Sequence, residues 1–184
     1  MPNLSIDDFK GQLIGGGARG NLFAVSLTYP NGLDIALDLD AASFMVKGAQ
    51  LPGSTIAPVM VPFRGRQLQV AGDRTFEPWT ITVINDTNFA VRNAMEVWMG
   101  RINNHLNNTG LVTPSSYMAD LWVKQLDKDG TPVKTYKMTG CWPSTLAPIE
   151  VAYDQEGTIE EFTVEFQITY WSAFEGDEGD SLTR

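Results

Sequence analysis

The sequence predicts a mainly β protein: an antiparallel β-sandwich or open barrel with one flanking α-helix. Three observations support this fold class. Several segments alternate apolar and polar residues as strands do, one segment repeats apolar residues at helical spacing, and turn residues separate these segments. Hydrophobic residues make up 43% of the 184 residues, which is enough for one domain with a core. We therefore expect a single domain over residues 1–184, without internal repeats or linkers.

The two ends of the chain differ in composition from its middle. Residues 1–20 predict an N-terminal arm, with a brief helix followed by glycines that let the chain bend. Residues 21–171 hold the predicted core, and residues 172–184 form an acidic C-terminal tail. Residues 1–10 lack the basic and apolar stretches of a secretion signal. No apolar run is long enough to span a bilayer.

Two strands are predicted near the start of the core. Residues 22–29 alternate, and the turn sequence Pro30-Asn31-Gly32 follows them. Residues 33–40 alternate as well, with leucine and isoleucine on one side, which predicts a second, half-buried strand. Phe44–Val46 continues or restarts that strand. The polar side of residues 33–40 carries Asp34, Asp38 and Asp40.

The middle of the chain predicts a loop, a turn and two further strands. Three prolines between Gly48 and Gly65 favour a long loop with short edge pieces. Gln67–Ala71 and Pro78–Ile84 are predicted strands, and Gly72-Asp73 is the predicted turn between them.

One amphipathic helix is predicted from about residue 88 to about residue 105. Apolar residues recur at steps of four, three and four residues, which places them on one helix face. These residues are Val91, Met95, Trp98 and Ile102. Asn85, Asp86 and Thr87 supply the side-chain chemistry that caps a helix N-terminus.

The last third of the core predicts a hairpin and a long strand. Asp120–Leu126 and Pro132–Thr139 flank the turn Asp127–Gly130. Glu161–Trp171 alternates without a break and is the clearest predicted strand.

Several kinds of chemistry lack the residues they need. His105 is the only histidine, and Cys141, the only cysteine, is expected to be a buried, unreactive thiol of a protein made in a reducing compartment. Gly15, Gly17 and Gly20 match a dinucleotide-binding spacing, but a strand-like segment follows them where a helix is required. The net charge of −9 argues against a surface that grips nucleic acid. We expect no enzymatic activity, no cofactor and no metal site.

The segment from Val70 to Trp98 carries the most distinctive sequence. It contains AGDRTFEPW followed by TVIND, and this combination resembles the tail tube proteins of contractile-tailed bacteriophages. Further similar segments occur in the same order over residues 21–171. They are Asn21-Leu22-Phe23, Ala49-Gln50-Leu51-Pro52, Gly140-Cys141-Trp142-Pro143 and the strand Glu161–Trp171. Residues 33–40 and the tail 175–184 fall outside the resemblance.

The resemblance implies a structural role. Subunits of that family close into hexameric rings with a continuous inner β-barrel, and the rings stack into a rigid hollow tube. The tube is driven through the host envelope and carries the genome during ejection. The implied partners are the tail sheath, baseplate and tail-terminator proteins, with a tape-measure protein in the lumen. DNA passes through without sequence-specific binding, and the host envelope is contacted only on ejection. The implied location is the virion, after assembly in the host bacterial cytoplasm.

Assembly contacts are expected in segments that a lone domain leaves unsatisfied. These segments are the arm, the proline-rich loop and the hairpin tip. The candidate interface residues are Phe9, Arg19, Leu51, Pro52, Arg64, Arg66, Asp127, Lys128 and Asp129. Arg64 and Arg66 fit either an ion-pair patch between rings or ordinary surface charge. Asp34, Asp38 and Asp40 fit either a solvated surface face or an acidic lumen wall that repels DNA.

Other functions remain alternatives. The chain also fits the tube of a tailocin, a type VI secretion system or another contractile injection system, or a baseplate protein that initiates a tube. A ligand-binding sandwich would use some of the five tryptophans as a stacking platform. A hydrolase would need paired carboxylates such as Glu160 and Glu161, but neighbours on a strand point to opposite faces.

Overall fold

The computed structural model describes residues 5–13, 16–30, 32–33, 35 and 37–177. The helices are α1 (Ile6–Gln12), α2 (Leu39–Phe44) and α3 (Ala90–Ile102), and Pro114–Ser116 forms a 3₁₀ turn. The strands are β1 (Phe23–Ser26), β2 (Val46–Ala49), β3 (Ser54–Phe63), β4 (Arg66–Phe76), β5 (Trp79–Ile84), β6 (Ala119–Leu126), β7 (Pro132–Leu146), β8 (Glu161–Gln167) and β9 (Tyr170–Glu175).

Two antiparallel sheets share the 15-residue strand β7. Residues 134–139 of β7 pair with β9, while residues 142–146 pair with β8. The first sheet therefore contains β1, β6, the first part of β7 and β9. The second sheet contains the last part of β7, then β8, β5 and β2. This arrangement confirms the predicted mainly β fold with a flanking helix.

The predicted strand over residues 161–171 is interrupted and longer than expected. Ile168 and Thr169 separate β8 from β9, and β9 runs to Glu175, so four residues assigned to the tail belong to the sheet. Both strands run antiparallel to β7. The interruption lets the chain follow β7 from one sheet into the other. Gly140 of β7 lies opposite this interruption, beside Thr169, and has a φ of 67°.

The core lies between the sheets and under α3. Trp79, Ile81 and Val83 of β5 are buried and alternate with more exposed residues, as predicted. The helical stripe is also confirmed, because Val91, Met95 and Trp98 are buried and Ile102 packs against the core. The remaining buried members include Val25, Leu121, Val123, Met138, Phe162, Val164 and Phe166.

Helix α3 is shorter than the predicted span of 88–105. Phe89 occupies the N-cap position with a left-handed φ of 54°, which excludes it and Asn88 from the helix. The Asp86 carboxylate accepts a hydrogen bond from the Ala90 N–H at 2.8 Å. Asp86 thus satisfies an N–H of the first turn, although the N-cap position itself is Phe89 and not one of the predicted residues 85–87. The exposed His105 lies three residues beyond the last helical residue.

The prediction of a strand over residues 33–40 is wrong. The described residues between 32 and 38 belong to no strand, and α2 begins at Leu39. The Asp38 carboxylate caps this helix by accepting hydrogen bonds from the N–H groups of Asp40 and Ala41, at 3.0 and 3.4 Å. Capping of a helix by aspartate thus prevails over the local alternation. Of the predicted segment Phe44–Val46, Phe44 is the last residue of α2, and Val46 is the first residue of the strand β2.

The prediction of a long loop over residues 48–65 is also wrong in large part. Ten of its residues form β3, which pairs with β4 in a separate two-stranded sheet. Prolines fit because each strand of a two-stranded ribbon has one unpaired side. The chain reverses at Arg64 and Gly65, whose φ angles are 44° and 79°. Gly72, predicted as a turn, lies inside β4 at a β-bulge, where Gly72 and Asp73 oppose the single residue Ala57. An added Cβ at Gly72 would lie 2.6 Å from the carbonyl oxygen of Ala57.

Candidate assembly surfaces

The hairpin formed by β3 and β4, residues 54–76, is exposed on both faces; we call it the projecting hairpin. Along its length only Gly72 and Phe76 are partly buried. Its exposed apolar side chains are Ile56, Val59, Met60, Val61, Phe63, Leu68 and Val70. A two-stranded hairpin alone is marginally stable in water, so these side chains need a further surface to cover them.

The base of the projecting hairpin is fixed to the first sheet. The indole N–H of Trp171 donates to the carbonyl oxygen of Gly53 at 3.0 Å. The Phe76 and Trp171 rings pack edge to face, with centroids 6.4 Å apart. Leu51 and Pro52, two candidate interface residues, precede this base, with Leu51 exposed and Pro52 half-buried. The hairpin therefore projects in a direction that the folded body sets.

The tip of the projecting hairpin is basic. Arg64 and Arg66 flank Gly65, and the Arg64 guanidinium lies 5.5 Å from the centroid of the Phe63 ring. Residues 54–72 contain no acidic residue. By contrast, residues 147–160 contain Glu150, Asp154, Glu156 and Glu160, with no lysine or arginine. A chain of net charge −9 thus presents a basic tip and an acidic loop, which are complementary between copies.

The second sheet has one apolar and one polar face. The apolar side chains of β5 and β8 are buried, so the alternate residues point away from the core. In register, Thr80 faces Glu165 and Thr82 faces Thr163 across the two strands. Nearby, Lys47 and Glu161 form an ion pair at 2.5 Å. We call this small, polar surface the threonine face (Thr80, Thr82, Thr163, Glu165 and Gln167).

The same sheet ends in two open edges. Among the described residues, β2 pairs only with β5, and residues 143–146 of β7 pair only with β8. Each open stretch is four residues long. Unpaired backbone groups on an edge strand bond readily to another strand, so these two edges suit a contact between copies.

The arm contains a surface helix, as predicted. Helix α1 is capped by Ser5, whose hydroxyl oxygen accepts from the Asp8 N–H at 3.1 Å, and the helix has no buried residue. Ile6, Phe9 and Leu13 share one exposed apolar side of the arm. Past the helix, the Gln125 side-chain amide donates to the carbonyl oxygens of Arg19 and Leu22, at 2.8 and 2.7 Å.

The predicted hairpin between β6 and β7 is confirmed. Asp127, Lys128 and Asp129 are exposed at its tip. The backbone N–H of Thr131 donates to the Asp129 carboxylate at 2.9 Å, and this hydrogen bond lowers the pKa of Asp129. The Asp127 carbonyl oxygen accepts from Gly130, whose φ is 84°. These bonds are local, so the tip keeps its shape without help from the body.

The acidic strand face predicted at Asp34, Asp38 and Asp40 is not present as such. Asp38 and Asp40 belong to the start of α2, where the helix N-terminus favours their charge. Asp34 lies outside the described residues. Across the described ranges, no cluster of three metal-binding side chains occurs, and no helix has both the length and the apolar character to cross a membrane.

Several residues of the other candidate functions have structural roles. Trp79 and Trp98 are buried, and their indole N–H groups donate to the carbonyl oxygens of Gln50 and Tyr117. Glu160 accepts a hydrogen bond from the Asn85 side chain at 2.8 Å, whereas Glu161 pairs with Lys47. The two carboxylates therefore have different partners. The Cys141 thiol is buried, as predicted, and burial raises its pKa to about 12.

Three features of the structure are absent from the sequence-based predictions: the length of the projecting hairpin, the exposed Phe44 and a groove between α3 and β7. Alternation in residues 66–70 and the turn at Arg64-Gly65 were signals for the hairpin, but the prolines of β3 outweighed them. No local pattern reveals a groove, since distant segments form it.

Comparisons with known proteins give consistent results. Residues 18–173 match the family described as phage tail tube protein. The tail tube protein gp19 of Enterobacteria phage T4 is 30% identical over 155 residues, which cover 84% of this chain and 90% of the T4 protein. Two solved structures have similar folds. A chain of the anti-feeding prophage (AFP) baseplate has a TM-score of 0.66 at 12% identity, covering 86% of this chain and 96% of that one. A chain of the extended PVC sheath–tube complex, from an extracellular contractile injection system, has a TM-score of 0.57 at 10% identity, covering 93% and 98%.

Proposed function

We propose that this chain, which belongs to the phage tail tube protein family, forms rings that stack into the hollow tube of a contractile tail. As a tail tube protein it is a structural component of the virion. The proposal specifies which surfaces make the contacts between copies, which face lines the bore and which partners meet the outside.

The projecting hairpin is the observation that carries the proposal. It exposes apolar side chains on both faces, yet Trp171 fixes its base to the folded body. An uncovered apolar projection with a fixed base suits a permanent contact with another copy, because such a contact removes its side chains from water. We assign the hairpin to the contact between successive rings. A head-to-tail contact that does not close on itself extends into a filament.

The basic tip supports the same assignment. Arg64 and Arg66 would approach acidic side chains of a copy in the next ring, and residues 147–160 are rich in such side chains. Charge complementarity of this kind sets the orientation in which two copies approach. Of the two interpretations of these arginines, the structure therefore favours the ion-pair patch.

Ring closure is assigned to the second sheet. Its open edges, β2 and residues 143–146, lie at opposite sides of the sheet. Pairing β2 of one copy with residues 143–146 of the next would join six sheets into one barrel, which leaves no edge exposed. The hexameric number is inferred from the family resemblance and fits the 6-fold symmetrised assembly of the AFP relative.

The threonine face would then line the bore. The residues of this face carry hydroxyl, amide and carboxylate groups, and the nearby Lys47 ammonium is already paired with Glu161. They therefore offer no unpaired cation to hold phosphates and no aromatic ring to stack on bases. DNA and a tape-measure protein would pass such a wall without specific binding. Within the bore, the chain performs no covalent chemistry, and its contribution to ejection is stiffness and a smooth wall.

The first sheet and α3 would face outward. The AFP and PVC structures place chains of similar fold in a baseplate and a sheath–tube complex, which supports the sheath, baseplate and tail-terminator proteins as partners. The same likeness supports a second candidate: the tube of a contractile injection system. Capsid and terminase genes beside this gene would favour the phage tail.

Electron microscopy of the purified chain over a concentration series tests the proposal. Rings or hollow tubes of uniform width are expected. A matched variant with residues 56–74 replaced by a two-residue Asn-Gly turn should keep the folded body, since the hairpin lies outside the core. We expect this variant to form rings without long tubes. A monomer at every concentration would contradict self-assembly, and normal tubes from the shortened variant would contradict the role of the hairpin.

A further inference from the structure

Phe44 is an exposed aromatic residue held in a defined position. It ends α2 and its side chain is 88% exposed, compared with 67% for Phe63 at the hairpin tip. The helix that carries it is fixed, because Ala42 is buried in the core and the Leu27 N–H donates to the Ser43 hydroxyl oxygen at 3.5 Å. A large apolar side chain displayed on a fixed element suits insertion into a partner surface.

Phe44 also precedes an open edge. Only Met45 separates it from Val46, the first residue of β2. The Met45 carbonyl oxygen accepts a hydrogen bond from the Ile84 N–H at 2.9 Å, so Met45 is already aligned with the second sheet. Whatever joins the free side of β2 therefore comes close to Phe44.

A groove of about 670 Å³ lies at the opposite edge of the same sheet, between α3 and the last part of β7. It is large enough to receive an aromatic ring. Its apolar lining consists of Met99, Ile102, Trp142, Pro143 and Leu146. Three of these residues come from β7. Pro143 and Leu146 belong to its open edge at residues 143–146, and Trp142 directly precedes that edge.

Helix α2, which ends at Phe44, lies on the same side of the sheet as the part of the groove that Pro143 and Leu146 form. Pro143 and Leu146 are in register with Phe166 and Val164, whose side chains are buried on the core side. Helix α2 also lies on the core side, because Ala42 belongs to the buried cluster. Joining β2 of one copy to residues 143–146 of the next would therefore bring Phe44 to the mouth of the groove.

We propose that Phe44 of one copy inserts into the groove between α3 and β7 of the adjacent copy in the same ring. The inference rests on the ring closure proposed above and adds a side-chain contact to it. Four-residue edges form few backbone hydrogen bonds, so the buried aromatic ring would supply much of the specificity of the ring contact. The partner is a second copy of this chain, and the contact repeats around the ring until it closes.

Cross-linking between introduced cysteines tests the proximity. The double variant Phe44→Cys with Met99→Cys pairs the aromatic position with the groove. Its matched control, Phe44→Cys with Val97→Cys, uses an exposed position on the same helix but outside the groove lining. The native Cys141 is buried and stays unreactive in the folded state. Mild oxidation of assembled protein should give a ladder of covalent oligomers that ends at the ring size with Met99→Cys and no ladder with Val97→Cys.

The outcomes separate this inference from the proposed function. If the protein forms tubes in the electron microscope but the variant with Phe44→Cys and Met99→Cys gives no ladder, the Phe44 contact is overturned and the tube function stays intact. Equal ladders from both double variants would also overturn it, because they would show no preference for the groove. If the unmodified chain formed neither rings nor tubes, the proposed self-assembly itself would fail.

A second measurement uses the critical concentration for assembly. Phe44→Ala should raise it by about tenfold or more, the factor that burial of an aromatic side chain produces. Val112→Ala, which truncates another highly exposed apolar residue, is the matched control and should leave it unchanged. Because Phe44 is exposed in the monomer, its substitution should not lower the melting temperature. An unchanged critical concentration for Phe44→Ala would overturn the inference.

Discussion

The indole N–H of Trp171 donates a hydrogen bond to the carbonyl oxygen of Gly53 at 3.0 Å, which joins the last strand to the base of the projecting hairpin. The two residues are 118 positions apart. The Trp171 ring also contacts Phe76 and Tyr136 edge to face. This single side chain thus couples the orientation of the hairpin to the first sheet.

The first prediction concerns that hydrogen bond. Trp171→Phe keeps an aromatic ring but removes the donor, and we expect a loss of about 1 kcal/mol in the free energy of unfolding. The variant should also form fewer and shorter tubes, because the hairpin is held less firmly. Denaturant unfolding and electron microscopy measure the two effects. Tyr170→Phe, at the neighbouring position, is the control. Equal effects of the two substitutions would show that the bond to Gly53 has no special role.

The second prediction concerns the basic tip of the hairpin. Reversing the charge with Arg64→Glu and Arg66→Glu should weaken tube assembly if the tip meets acidic side chains of another copy. The defect should appear in light scattering during assembly, while the melting temperature of the monomer stays unchanged. Arg101→Glu, on the exposed side of α3, makes a charge change outside the hairpin. Tubes that form normally after both reversals would return the two arginines to ordinary surface charge.

The third prediction concerns the arm. Removal of residues 1–17 should leave a folded subunit, because α1 contributes no buried residue and Arg19 keeps its bond to Gln125. The shortened chain should no longer polymerise, since Phe9 and its apolar neighbours are lost. Circular dichroism and electron microscopy together check this. Substituting Lys10→Ala alone provides the control. Tubes of normal length from the truncated chain would rule out an assembly role for the arm.

The fourth prediction concerns Gly140. Its φ of 67° and its position, where an added Cβ would lie 2.5 Å from the Thr169 hydroxyl, both disfavour a side chain. Gly140→Ala should therefore cost about 3 kcal/mol or more in the free energy of unfolding. Gly130→Ala is the matched control, because its φ is 84° but its surroundings are open. We expect it to cost about 1 kcal/mol. Similar losses in urea unfolding would mean that crowding against Thr169 is unimportant.

The fifth prediction concerns pH. Burial raises the pKa of the Cys141 thiol to about 12, from 9.0 for an exposed thiol. Above pH 9 the unfolded chain releases this proton while the folded chain retains it, so stability should fall as pH rises from about 9 towards 12. At pH 8 the folded protein should react with a thiol reagent only after denaturant is added. Cys141→Ala should show a shallower loss of stability above pH 9, measured by urea unfolding. Rapid reaction of the native thiol would contradict its burial.

Several elements could be predicted because their causes are local. The alternation in Trp79–Ile84, the stripe from Val91 to Ile102 and the turn at Asp127–Gly130 each record one face in the core and one in water. Where two local causes compete, the prediction failed. In residues 33–40, alternation favoured a strand, yet the capping chemistry of Asp38 favoured a helix. In β3, the prolines suggested a loop although a two-stranded ribbon accommodates them.

The candidate assembly surfaces were predicted less completely than the elements. The arm, the proline-rich segment and the hairpin tip are predicted as segments that a lone domain leaves unsatisfied, and most of their described residues are exposed. Their contacts with other copies stay predictions. The open edges of β2 and β7, the exposed Phe44 and the groove beside α3 had no counterpart in any local pattern.

The sequence by itself determined the mainly β class, the position of the central helix and the family to which the chain belongs. Each of these depends on residues close together in the chain or on a motif such as AGDRTFEPW. Only the tertiary structure decided that β7 passes from one sheet to the other, that Trp171 anchors the hairpin, and that Phe44 and the groove lie at opposite edges of one sheet. The physical reason is that burial and edge pairing depend on segments distant in sequence, whereas periodicity records only what one segment needs.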